Sequence, residues 1–86
     1  MNTKELYESP KKDQNEAIHG ITSTSCVCCG KPTNEDYFVH MTTQWVAVEA
    51  KVTEDDLAEI GMESQGLYAI GHSCAKRMGK KFIINA

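Results

Sequence analysis

Cys26-Val27-Cys28-Cys29-Gly30-Lys31 concentrates the reactive chemistry of this chain in six consecutive positions. Two thiolates separated by two residues on a tight turn can aim both sulfurs at one ion. A glycine after the second lets backbone amides turn toward the sulfurs without a side-chain clash. Cys26, Cys29 and Gly30 have that spacing. Cys28 falls between the pair and is expected to point away from the ion, as a small buried apolar residue or a spare thiol.

A tetrahedral structural site needs two further ligands, and Cys74, His40, His72 and His19 are the candidates outside the cluster. Cys74 lies at the start of a predicted short helix after Gly71, where the helix dipole and free amides favour a thiolate. His40 ends a predicted strand and can approach an ion from across the site. His72 stands two residues before Cys74 and would share its ion only with awkward local geometry. The spacing leaves His40 and His72 both open as the fourth ligand, with His19 or water behind them. An isolated histidine can equally be a surface or packed residue.

The rest of the chain says why a metal is needed. Leu, Ile, Val and Phe supply only 16 of the 86 residues, while the net charge of −3 is too mild for a typical disordered chain. A domain this small usually adds disulfides, a metal or oligomerisation to its core. Residues 1–20 contain no apolar run that could serve as a secretory signal, so a cytoplasmic, reducing setting is expected. There, clustered cysteines bind metal more readily than they form disulfides. One structural Zn2+ ion is the expected cofactor. No apolar stretch is long enough to span a membrane, and no repeat is visible.

Residues 1–22 are polar, with Pro10 among them, and read as a flexible tail with at most a frayed helix; residues 23–86 read as the zinc-binding domain. Tyr37-Phe38-Val39-His40-Met41 and residues 45–52 read as two strands around Thr42-Thr43, the second with a period-two alternation of Val46, Val48, Ala50 and Val52. Thr53 is placed to cap a helix through Glu54, Asp55 and Asp56, with Leu57 and Ile60 facing inward and Gly61 ending it. Residues 67–70 form a third strand, residues 73–78 a helix closed by Gly79, and residues 82–84 an apolar edge strand.

Cys26-x-x-Cys29-Gly30-Lys31-Pro32, then Tyr37-Phe38-Val39-His40-Met41-Thr42-Thr43, Ser64-Gln65-Gly66 and Ile70-Gly71-His72-Ser73-Cys74-Ala75-Lys76-Arg77 together resemble small zinc-binding proteins of bacteriophages and prophages. The resemblance covers about residues 26–84. It implies Cys26, Cys29, His40 and Cys74 as ligands and leaves His72 at a variable position. Cys28 and the long acidic segment 49–63 depart from the pattern. The fold it implies is α+β: a small zinc-stapled domain like a treble clef or zinc ribbon, with a β-hairpin or three-stranded sheet and one or two short helices.

Four protein ligands leave no open position for catalysis. A Cys26-x-x-Cys29 redox pair would need a larger βαβ framework, and His40-Met41-Thr42 lacks the glutamate of a zinc deaminase. An interaction module is therefore expected, not an enzyme, and neither a membrane nor a small-molecule substrate is expected as its partner. Eight acids against Lys51 alone in residues 35–63 offer an acidic face, with Glu54, Asp55, Asp56 and Glu59 at its centre. That face could dock on a basic host or phage protein, for instance to blunt host defence, or simply keep the protein soluble. The alternative is nucleic-acid binding through Lys31, Lys76, Arg77, Lys80 and Lys81. Against it stand a pI near 5.5 and the absence of an aromatic between those cations to stack a base. Cations at a helix end also offset its dipole. The apolar end at 82–84 could pair with a copy of itself and make a homodimer.

Overall fold

The structure is a computed structural model and describes residues 2–85. Its elements run β1 (Thr3–Glu5), α1 (Lys12–His19), β2 (Tyr37–Thr42), β3 (Val46–Val48), α2 (Glu54–Glu59), β4 (Ser64–Ala69), α3 (His72–Met78), a 3-10 turn (Lys80–Phe82) and β5 (Ile83–Asn85). The architecture is α+β, built on one five-stranded antiparallel sheet. It is larger than the expected hairpin or three-stranded sheet with one or two helices.

β2 organises the sheet. It pairs with β4 along one edge, and on its other edge with β3 through His40 and Met41 and with β5 through residues 37–39. Side chains alternate across a strand. Val39, Met41 and Ala47 accordingly enter one core with Cys26, Cys28, Ile70, Cys74, Met78 and Phe82. Val48, paired with His40, enters a separate cluster with Val52 and Leu57.

The capping reading of α2 holds. Thr53 Oγ1 accepts from Asp56 N at 3.2 Å and Asp56 Oδ2 accepts from Thr53 N at 3.0 Å, a reciprocal capping box. Leu57 is fully buried, whereas Ile60 is exposed, because the helix ends before a second turn can carry it inward. The second predicted strand is shorter than expected. Trp45 belongs to the loop before it, and beyond Val48 the chain turns through a Val52 N to Glu49 O bond. Phe82 lies buried in the 3-10 turn, and the edge strand begins only at Ile83.

The largest correction concerns the N-terminal segment, expected as a tail. β1 pairs with β3 in register Thr3 to Val48, and Lys4 Nζ donates to the carbonyls of Arg77 at 3.2 Å and Met78 at 2.8 Å. Those carbonyls belong to the last turn of α3, which has no further helical amides to bond. Ser9 N donates to Cys28 O at 2.8 Å, and α1 lies against Gly30. The segment is a strap over the cysteine loop and α3. Leu6 and Tyr7 pack against the core, but the remaining anchors are backbone bonds and polar side chains, so its composition resembles that of a tail.

Candidate metal centre

The loop 26–30 is closed by Gly30 N donating to Cys26 O at 2.9 Å, and Cys26 N donates to Lys31 O at 2.8 Å. Gly30 has φ +78°, and a Cβ there would meet Glu16 Cγ at 2.7 Å and Lys12 O at 2.9 Å. Both the left-handed backbone and the approach of α1 therefore require glycine. Three outside anchors fix the loop's rotation. Val27 N donates to Ala69 O at 3.0 Å, Cys28 O accepts from Ser9, and Cys29 O accepts from Asn15 Nδ2 at 2.8 Å.

Held this way, Cys28 turns inward. The sulfurs of Cys26, Cys28 and Cys74 lie within 4.8 Å of one another, and all three residues are buried. Cys29 is half-buried and acts on Cys74 through both its charge and its side chain, so the cluster comprises all four cysteines of the chain. A tetrahedral zinc site with Zn–S bonds of about 2.3 Å has sulfurs about 3.8 Å apart, which this spacing accommodates. The group is chemically able to hold a metal ion.

Its electrostatics point the same way. The Cys28 thiol donates to the Cys26 sulfur and pulls the Cys26 pKa down to about 4, against the upward pull of burial; Gly71 N, 3.2 Å from that sulfur, assists. Cys28 is pushed far above the ordinary thiol range, first by serving as that donor and then by burial. Burial, followed by the charge of Cys26, raises Cys74 to about 12. With protein groups alone, burial and the neighbouring sulfurs hold Cys28 and Cys74 toward the thiol form. A divalent cation among the sulfurs reverses this balance, because it favours each thiolate directly.

The structure brings Cys26, Cys29 and Cys74 together as expected and adds Cys28, which was expected to point away. His40 is not with them. It lies on the opposite face of β2 from Val39 and Met41, is 6% exposed, and its Nε2 is 2.7 Å from Ser64 Oγ. The strand held the clue: if Val39 and Met41 face the core, period two sends His40 between them to the other side. His72, the other candidate, is the first residue of α3; it is exposed, with its ring 5.6 Å from that of Tyr37. His19 is exposed at the end of α1.

The surface residues divide. Glu54, Asp55 and Glu59 are exposed on α2, but Asp56 is engaged in the capping box, and its pKa is lowered by the bonds from Thr53. Lys31 and Arg77 line a groove beside Cys26, Cys29 and Cys74, whereas Lys76 and Lys80 line a second groove across α3, and Lys81 lies in neither. Among the described residues no helix is long and apolar enough to cross a membrane.

One surface feature escaped the sequence reading. Trp45 has φ +60° at the end of the three-residue loop joining β2 and β3, where hairpins of this length place glycine. It remains 44% exposed and meets Tyr68 edge-on at 5.3 Å, beside Leu67, 56% exposed, and Ile21, 75% exposed. These residues border a groove of about 390 Å³. Comparison with known proteins returned no matching family model, no similar curated protein and no similar solved structure.

Proposed function

We propose that the chain is a zinc-stapled interaction module. The carrying observation is the convergence of Cys26, Cys28, Cys29 and Cys74 from two distant chain segments into one cluster. Four thiolates suit zinc, and they fill its coordination shell, which makes the ion structural and leaves no position for a substrate. The order of cysteine loop, β2–β3 hairpin and α3 with Cys74 in its first turn supports a treble-clef-like reading. Elemental analysis of the purified protein should find one zinc per chain, and a strong chelator should abolish the cooperative melt. Metal-free protein with an unchanged melt would refute the zinc.

The partner in this reading is a protein, of host or phage origin as the resemblance to phage and prophage proteins implies. Trp45, Tyr68, Leu67 and Ile21 support it more strongly than the acidic helix does. Trp45 packs edge-on against Tyr68 yet stays 44% exposed in a backbone conformation that costs about 1 kcal/mol or more, and Trp and Tyr anchor many interfaces. The acids of α2 have a local role in capping and dipole compensation. Trp45→Gly relieves the backbone and should leave the melt close to wild type while abolishing capture of partners from lysate. If Asp55→Asn with Glu59→Gln abolishes capture and Trp45→Gly does not, the acidic face is the docking surface.

A further inference from the structure

Lys76 and Lys80 have no aromatic between them in sequence, but the fold supplies two beside them. Tyr37, from the start of β2, and His72, from the start of α3, present tilted rings 5.6 Å apart on the same groove, of about 290 Å³. Ala75 and Ile83 contribute its apolar lining, and Asn85 at the end of β5 contributes an amide. Among the described residues no carboxylate lines it, and the one ion pair is Lys12 with Glu8, so neither lysine is paired with a described carboxylate.

We propose that this groove binds single-stranded nucleic acid. Tyr37 and His72 offer faces on which bases stack, Lys76 and Lys80 neutralise the flanking phosphates, and Asn85 can meet a base edge. Ring faces combined with cations along a groove are what sequence-tolerant single-strand binding requires. The cations across α3 are a different case. Lys11, Lys31 and Arg77 line the groove beside the cysteines, where four thiolates around a divalent ion would leave two negative charges to balance, and Arg77 also lies 4.7 Å over the Tyr7 ring. Lys76 and Lys80 lie outside that groove, and beyond the offset Lys76 gives the end of α3 they face the Tyr37–His72 groove. His72 lines both grooves, so a strand seated on it has a second basic surface into which to continue. The site is separate from the Trp45 surface and does not depend on the protein-partner reading.

The test is fluorescence anisotropy of the full-length protein with a labelled single-stranded homopolymer of about ten nucleotides. Two phosphate contacts on a single strand give a salt slope of about −1.4, roughly a sevenfold loss of affinity between 50 and 200 mM salt. Losing one stacked base weakens binding by about fivefold or more, the effect expected of His72→Ala. Lys76→Gln with Lys80→Gln should flatten the salt slope. All three side chains are exposed, so the melt should stay at the wild-type value and separate lost binding from lost folding. A duplex of the same length should bind more weakly, because its bases are already stacked. Equal affinity for duplex, an unchanged affinity in His72→Ala, or tighter binding of a polyglutamate peptide than of the oligonucleotide would overturn the proposal.

Discussion

On one face of the sheet, Val39, Met41, Ala47 and Ile70 pack with Cys26, Cys28 and Cys74, so sulfur donors occupy positions that a larger domain would fill with Leu or Phe. On the other face, Val48, Val52 and Leu57 pack with Met62 beneath a capped helix, with no cluster of ionisable groups among them. The second face closes by apolar burial. The first holds thiols among which donation from Cys28 lowers Cys26 and raises Cys28, while burial and then the charge of Cys26 raise Cys74; a divalent cation would favour each thiolate. In a chain this short, the proposed metal would make up for the missing apolar volume on one side only.

The contrast is broken most severely at Cys28. Cys28→Ser should abolish metal retention and the cooperative melt, because structural zinc contributes about 10–16 kcal/mol in small domains, as much as or more than the whole net stability of a typical fold. A spare thiol would leave zinc content and melt unchanged. His40→Asn should retain a full complement of zinc by elemental analysis, since His40 faces the other side. On that other side, Leu57→Ala should cost about 2–5 kcal/mol in denaturant unfolding without changing metal content. Metal loss on Leu57→Ala would show that the two faces are not independent.

Smaller effects test the periphery of each face. Asn15→Leu removes the donor to Cys29 O and should cost about 1–2 kcal/mol, which a disordered tail would not register. Thr53→Ala should cost about 0.5–2 kcal/mol through loss of the cap. The capping box also carries a pH signature. The folded pKa of Asp56 is depressed, so its contribution is fully present above the unfolded aspartate value and fades as pH falls through the folded one. Acid titration of the melt should show that loss in the wild type and a weaker one in Thr53→Ala.

Much of the fold was legible because its signals are local. The strand over Tyr37–Met41, which the fold extends by Thr42, the cap at Thr53, and the glycine stops at Gly61 and Gly79 each follow from residues a few positions apart. The Cys26–Cys29 pair is legible in the same way, from its two-residue spacing, whereas Cys74 joins from a distant segment. Trp45 was misplaced in a strand because its aromatic character outweighed a loop position that normally calls for glycine. The N-terminal strap was missed because a three-residue strand joined by backbone bonds leaves no hydrophobic period to read.

Residue chemistry and short-range pattern were therefore enough to identify an α+β domain short of apolar core and supplied with sulfur. Tertiary structure alone decided which sulfurs share the centre and which histidine stays out. Whether Cys28 faces in or out depends on how Ser9, Asn15 and Ala69 hold the loop, and those partners lie 14 to 42 positions away or on other elements. The face on which His40 emerges depends on which side of β2 the rest of the chain covers. Orientation relative to distant elements is a property of the assembled fold, and spacing along the chain does not encode it.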